Sequence, residues 1–351
     1  MKYPAVLSFD AILPTLHEFD AIIDARSESE FALDHLPGAI NCPVLNDAER
    51  ILVGTTYKQI NAFEAKKIGA PLVAHNIAHA IETLWLDKPR DWRPLVYCWR
   101  GGNRSGSMVH ILAKVGWPVI QLEGGYKAYR AHVSASLATP PKLDWRVICG
   151  TTGSGKSRSL ETLDAIGAQV LDLEQLAAHR GSVLGSLPSE PQPSQKMFES
   201  RIWAKLRSFD PALPVFVESE SKKVGNLRVP EEVMVAMRAS PCISLTLSRP
   251  NRVRLLTQDY SHFVRDPSAL NAQLEHLVLL HGRAKIAAWH AMANAGDMAA
   301  LVDELLVEHY DPAYVKSIDR NFAQFKDARV LELGDIGEAD FMGAARVLHP
   351  V

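Results

Sequence analysis

Short apolar runs, broken by glycine, proline or polar clusters, alternate with stretches of helical period along most of the chain. That alternation predicts strands and helices in turn, and so a parallel α/β architecture. "AIIDAR" (21–26) reads as a buried strand, and "RPLVYC" (93–98) as another that ends on Cys98. Ser105 stands where a helix N-cap would, ahead of "GSMVHILAKVG", whose apolar positions 108, 111, 112 and 115 share one face. "WPVIQLEGGYKAYRAHV" then supplies a strand, a glycine turn and a helix. The adjacent prolines of "SASLATPPKL" (134–143) mark the best linker, which divides the chain into a first domain over 1–135, a linker over 136–143 and a second domain over 144–351.

The second half opens with "WRVICGTTGSGKSRSLETLDAIG", an apolar strand, a glycine loop and a helix carrying Leu160, Leu163 and Ile166 on one face. "AQVLDLE", "PVFVESES" and "CISLTLS" read as further buried strands, and residues 251–310, rich in Leu, Ala and His, as a helical extension. "GSLPSEPQPSQ" (185–195) reads as an exposed loop inside this domain.

A length of 351 residues suits two domains, and 47% hydrophobic with 22% charged residues is the balance of a chain that buries a core. The start "MKYPAVLSFDAILP" has no basic-then-apolar leader pattern, and no apolar run is long enough for a bilayer, so the expected location is the cytoplasm. A net charge of -2 does not announce a nucleic-acid binder, so such a partner would be held by local patches. Cys42, Cys98, Cys149 and Cys242 lie far apart without C-x-x-C pairing, which suggests neither a disulfide framework nor a zinc site.

Cys98 differs from the other three. In "YCWRGGNRS" it is followed by Gly101 and Gly102, which let backbone N–H groups converge, and by Arg100 and Arg104, which add positive charge. A thiolate is the nucleophilic form of cysteine and is favoured by cations and by a helix N-terminus. The loop therefore suits a sulfur that attacks, or carries, an atom delivered by an anionic donor. The alternative is a small buried hydrophobe at a strand end, the reading adopted for Cys42, Cys149 and Cys242. A basic glycine loop has no packing purpose and disfavours burial, which favours function at an accessible Cys98.

"GTTGSGKS" fits G-x-x-x-x-G-K-[ST] between an expected strand and an expected helix, the context this phosphate-binding motif requires. Gly150, Gly153, Ser154 and Gly155 would surround phosphate oxygens with N–H groups, Lys156 would add a point charge, and Ser157 would ligate Mg²⁺. Asp172 and Glu218, each at a strand end, are candidates for the metal side, or for capping a neighbouring helix. Eight residues do not say whose phosphates are bound.

Positive charge is concentrated in two places. Residues 196–228 hold seven Lys or Arg against four acids, and 249–265 hold four Arg against Asp259. Lys196, Arg201, Lys205, Lys222, Lys223, Arg252 and Arg254 are thus candidates for phosphate-backbone contact, with a solvated helix face as the alternative. Arg180, in "HRGS" (179–182), offers either an anion site or ordinary helix C-terminal chemistry, and "EHYDPAY" (308–314) could be a helix stop at Pro312.

Over residues 5–133 the chain resembles a rhodanese domain, in the Asp24 and Arg26 pair, the "HLPGA" turn and the cysteine loop. In that family the cysteine carries sulfur or selenium as a persulfide-type adduct, a role the resemblance implies for Cys98. Rhodanese loop, linker and phosphate loop, together with "VGTTYKQ", "DLEQLAAHRGS", "QPSQKMFE", "VESESKKVG" and "EHYDPAY", resemble the tRNA 2-selenouridine synthases over nearly the whole chain. The resemblance implies a rhodanese-like domain fused to a P-loop domain and a two-step edit of wobble 2-thiouridine in tRNAs for Lys, Glu and Gln. Geranyl diphosphate would first alkylate the sulfur, and selenium from selenophosphate would then replace the S-geranyl group. Gly153, Gly155, Lys156 and Ser157, with Mg²⁺, would serve the first step, and Cys98, Arg100 and Arg104 the second. A selenophosphate-supplying enzyme is the implied protein partner. Ser219 departs from the family's Glu-Asp-Glu-Ser pattern, and Trp99 adds a bulky ring beside the thiol that could stack on a base, the linker or the second domain. Two other readings stand beside this one: an ATP-dependent kinase or NTPase fused to a sulfurtransferase, and a non-catalytic, thiol-regulated binding protein.

Overall fold

A computed structural model of the chain describes residues 4–182, 184–187 and 190–350. Pro188 and Ser189, within the expected loop 185–195, lie outside the described residues; the rest of that loop has only a single bridge, His179 to Ser186, until Gln195 opens a helix. The chain forms two compact units, Met1–Ser136 with Glu199–Trp203, and Leu137–Phe198 with Ala204–Val351. Among the described residues no helix is long and apolar enough to cross a membrane.

The first unit is built on a parallel sheet of β1 (Ala5–Leu7), β2 (Ala21–Asp24), β3 (Ala39–Asn41), β4 (Pro94–Tyr97) and β5 (Ile120–Leu122) in the order β1-β5-β4-β2-β3. β4 is the central strand and is buried along its whole length, as its unbroken apolar run requires of a parallel strand covered on both faces. Ile23 and Val96 pack with Leu112 and with Trp85, Trp92 and Trp117. Two helices, α1 (Asp47–Gln59) and α2 (Ala62–Ala80), lie between β3 and β4; Asn46 and Asn61 cap them by accepting from the Glu49 and Glu64 amides. After β4 comes α3 (Asn103–Val115), which begins before Ser105, with Gly102 at its N-cap. The expected cap at Ser105 is thus corrected: its hydroxyl lies inside the first turn and is taken up by Cys98, as described below. α4 (Gly125–Ala138) runs into the expected linker, of which residues 139–143 are free of helix and strand.

The second unit has β6 (Asp144–Cys149), β7 (Gln169–Leu171), β8 (Pro214–Glu218), a small hairpin of β9 (Lys223–Val224) and β10 (Leu227–Arg228), then β11 (Cys242–Leu247) and β12 (Arg329–Leu333). Its parallel sheet runs β12-β11-β6-β8-β7. The chain leaves β6 towards one edge, returns to β8, and only later builds the other side, so strand order reverses at β6. In open α/β sheets the crevice at the carboxyl end of such a switch point is where ligands bind. β6 is followed by α5 (Lys156–Ala165), whose Leu160 and Leu163 join Val170, Phe216, Leu245 and Phe341 in the core. Next in order are α6 (Leu173–Ala177), α7 (Gln195–Ser208) and α8 (Arg249–Asp259). The helical extension has its own core of Leu270, Leu274, Trp289, Leu301 and Leu305. It includes α9 (Met298–Leu305), a π turn over Leu306–Tyr310 and α10 (Asp311–Asn321). Pro312 is the second residue of α10, directly after the π turn, so the helical run continues through it rather than stopping there.

Candidate functional site

The thiol loop is fixed from three sides. Backbone N–H groups of Tyr126 and Lys127 donate to the carbonyls of Cys98 (2.8 Å) and Trp99 (3.1 Å). A side chain on Gly125 would overlap the Cys98 carbonyl oxygen, so this approach requires glycine. Gln121 on β5 donates to the Gly101 carbonyl (2.7 Å) and to Ser105 Oγ (2.9 Å), and Ser105 Oγ donates to Cys98 Sγ (3.1 Å). Cys98 is only 3% exposed, so the loop does not hold the sulfur out in solvent, contrary to the expectation from its basic character. Arg104 is likewise turned away: it forms a bidentate pair with Glu30 (2.6 and 3.2 Å). Arg100 is exposed, and Trp99 stacks on Tyr126 with ring centroids 5.2 Å apart. Beneath the loop lies Arg26, bidentate to Asp24 and bonded to the Asp34 carbonyl (2.6 Å), with its guanidinium 4.0 Å from the Tyr126 ring centre.

The phosphate loop follows β6 at the switch point. Gly155 (φ +91) has no room for a side chain, because a Cβ would lie 2.7 Å from the Phe341 ring. Lys156 Nζ is bonded to the Gly150 carbonyl (2.8 Å), the buried Ser154 hydroxyl has no hydrogen-bond partner among the described residues, and Ser157 Oγ, on the cleft wall, donates to Glu174 (2.9 Å). The N–H of Gly150 donates to the Tyr314 hydroxyl (2.6 Å), and Arg252 donates to the Thr152 carbonyl (2.9 Å) while paired with Asp311. Residues of α8 and α10 therefore hold the loop from below and from the side.

A cleft of about 590 Å³ opens over this loop, lined by Lys156, Ser157, Glu174, Arg180, Glu220 and Tyr314 among others. Its floor is unexpectedly acidic. Asp172 caps α6 by accepting from the Gln175 amide (2.8 Å), and Glu218 accepts from the Leu173 and Glu174 amides (2.8 and 3.0 Å). Both side chains therefore do the capping work that was the alternative to metal binding. Among the described residues no group of three or more His, Cys, Asp or Glu is arranged to hold a metal ion. Capping engages Oδ1 of Asp172 and Oε1 of Glu218; Glu218 Oε2 is buried without a hydrogen-bond partner among the described residues, and Asp172 and Ser157 line the cleft.

Burial is the largest cause of raised carboxyl pKa values here. Asp172 is pushed up to about 6 and Glu174 to about 7, Glu220 is raised, and Glu218 is raised well above its ordinary range, with like charges adding to the shift. The folded protein thus keeps protons that the unfolded chain releases near pH 4. Stability from this cluster is complete below that pH and is lost as pH rises through 6 and 7. A thermal midpoint a few degrees lower at pH 8 than at pH 6 is expected, with a smaller difference in Glu174→Gln. Equal pH profiles for the two proteins would contradict the assignment.

The basic candidates differ in exposure and in partners. Arg252, at 7% exposure, is not a surface residue at all: its ion pair with Asp311 sits under the phosphate loop. Arg180 lines the cleft, donating to the Asp259 carbonyl (2.7 Å) with its guanidinium 4.9 Å from the Tyr260 ring centre. Lys222 pairs with Glu231, Lys205 with Asp164 (3.5 Å) and Arg254 with Asp335 (2.9 Å). Lys223 is exposed on β9, while α7 carries Lys196, exposed, and Arg201, half-buried.

Beside the cleft is an apolar recess lined by Leu256, Phe263, Leu270, Met298, Leu301 and Leu305. It shares Thr152, Tyr260 and Tyr310 with the cleft. Neither the recess nor Glu174, Glu220, Tyr314 and Gln121 was anticipated from the sequence. Tyr314 lies in the "EHYDPAY" segment, the one signal that pointed near it.

Residues 143–276 match the family described as the tRNA 2-selenouridine synthase AAA domain, and residues 12–132 match the rhodanese-like domain. A tRNA 2-selenouridine synthase of Nitrosomonas europaea is 38% identical over 246 residues, covering 68% of this chain and 63% of that protein. The chain thus spans somewhat less than two thirds of that relative's length. The tRNA 2-selenouridine synthases of Shewanella halifaxensis and Cupriavidus necator are each 30% identical, covering 90% of this chain and 92% and 91% of those proteins. With both domains matched in order, and with relatives aligned across nearly their full length, the chain belongs to the tRNA 2-selenouridine synthase family.

Proposed function

We propose that the protein is a tRNA-modifying transferase that alkylates wobble 2-thiouridine with geranyl diphosphate and then exchanges the S-geranyl group for selenium. The observation that carries the first step is an apolar recess, about 60 Å³ in this structure, that adjoins the phosphate-loop cleft and would have to widen to take a hydrocarbon tail. A diphosphate with a hydrocarbon tail needs both, whereas a nucleotide would place a polar base and ribose where there are few hydrogen-bonding groups. The thiocarbonyl sulfur attacks C1 of the geranyl group, the C–O bond breaks and its electron pair leaves with the diphosphate, and the N3 proton of the base is lost to solvent. Lys156 and the loop N–H groups stabilise that departing charge. Ser157 would hold the Mg²⁺ of a metal-bound diphosphate, which would supply further charge neutralisation.

Alkylation turns a poor leaving group into a good one: the selenium of selenophosphate bonds to C2 of the base, the C–S bond breaks and its electron pair leaves as geranylthiolate, which takes up a proton, and water then cleaves the Se–P bond to release phosphate. This exchange belongs to the thiol loop, where Cys98 and Arg100 meet selenophosphate, an anionic donor supplied by a separate enzyme. Arg104 serves this step indirectly, by anchoring α3 to Glu30. The tRNAs are of the Lys, Glu and Gln type, and the reaction takes place in the cytoplasm.

Nucleoside mass spectrometry on 2-thiouridine tRNA tests the reading: a geranyl mass shift with geranyl diphosphate and Mg²⁺, then replacement of sulfur by selenium with selenophosphate. Unchanged nucleosides alongside ATP turnover would favour an ATP-dependent kinase or NTPase instead. Titration calorimetry tests the recess. Val264 lines the recess from an exposed position, and Val264→Trp is expected to weaken geranyl diphosphate binding about 10-fold or more while inorganic pyrophosphate binds as before. Equal loss for both ligands would remove the recess from the site.

A further inference from the structure

The α1–α2 hairpin takes no part in either loop. A parallel crossover from β3 to β4 needs only one helix. Here there are two, and only the C-terminal half of α2 reaches the core, through Val73, Ile77 and Ala80. The helices meet through small residues: Thr56 and Ala65 are buried, and a side chain on Gly69 would lie 3.4 Å from Val53. Large apolar side chains are left outside. Tyr57, Ile60 and Phe63, at the turn between the helices, are 60%, 66% and 68% exposed. Around them stand the exposed Lys58, Lys66 and Lys67 against one acid, Glu64, which pairs with Lys67 (3.0 Å). Lys67 Nζ is 5.6 Å from the Phe63 ring centre.

Exposed rings among cations suit a particular kind of partner. An apolar patch rimmed by polar groups marks an interaction surface, and an excess of positive charge on a chain of net charge -2 selects a polyanion. Aromatic faces receive unpaired bases, while neighbouring lysines neutralise phosphates. We propose that the tip of this hairpin, Tyr57, Lys58, Ile60, Phe63 and Lys66, is an RNA-docking surface on which unpaired bases stack. The proposal rests on the reading of tRNA as substrate and adds to it a contact outside all the basic candidates anticipated from the sequence.

Fluorescence anisotropy of the full chain with a labelled tRNA-Lys transcript tests it. Tyr57→Ser with Phe63→Ser is expected to weaken binding at least 5-fold, since each stacked base contributes about 5- to 150-fold. Lys58→Gln with Lys66→Gln is expected to lower the slope of log affinity against log salt by about 1.5. All four positions are solvent-facing, so an unchanged thermal midpoint and unchanged pyrophosphate binding will show that the variants are folded. Wild-type protein that binds the transcript together with variants that bind it equally well, at equal salt slope, would overturn the docking surface alone. Wild-type protein that does not bind the transcript would overturn the tRNA reading with it.

Discussion

Lys156→Ala is expected to reduce geranyl transfer by about two to three orders of magnitude, the usual loss when one donor to a developing anion is removed. Cys98→Ser is expected to leave that step intact and to stop selenium incorporation. Lys156 rests on the carbonyl of Gly150, the first residue of the phosphate loop, whereas Cys98 directly follows β4 in the other sheet and is held by Ser105, itself bonded to Gln121. Serine fills nearly the same buried space as cysteine, so loss of selenium chemistry in this variant reports on the sulfur rather than on the fold. Single-turnover assays read by nucleoside mass spectrometry distinguish the steps. Alkylation that fails in Cys98→Ser would mean that the two loops act as one site.

The largest stability effect is expected at Arg26. Its guanidinium and the Asp24 carboxylate are 1% and 0% exposed, so removing one partner leaves the other charged and buried. Arg26→Ala should cost about 3–5 kcal/mol, enough to lower a calorimetric transition by on the order of 10 °C. Replacing both partners with Leu and Met should recover much of the loss, because the desolvation penalty disappears with the charges. A single variant that melts like the wild type would show that water reaches Asp24.

Both loops were legible because their signals are local. Eight consecutive residues between an apolar run and a helical period define the phosphate loop, and nine define the thiol loop. What holds and surrounds them is assembled across long separations and was not legible. Tyr314 meets Gly150 from 164 residues away, and Arg252 meets Thr152 from 100. Arg252 was misread as a surface cation although it shares a helix face with Leu255 and Leu256, the pattern of a buried position. β12 went unpredicted because Arg329 and Glu332 interrupt its apolar residues on an edge strand, which a search for continuous apolar runs passes over. The burial of Cys98 was missed for the opposite reason: charge in the sequence around it suggested solvent, but the glutamate that pairs with Arg104 lies 74 residues upstream.

The partnership of Tyr314 and Asp311 with the phosphate loop sets a lower limit on the autonomous piece of this protein. The recognisable AAA segment ends at residue 276, before either of them. A fragment trimmed to that boundary would strand the Arg252 charge and free the Gly150 amide, so the minimal phosphate-binding fragment has to extend through α10, beyond the part of the chain by which the domain is recognised.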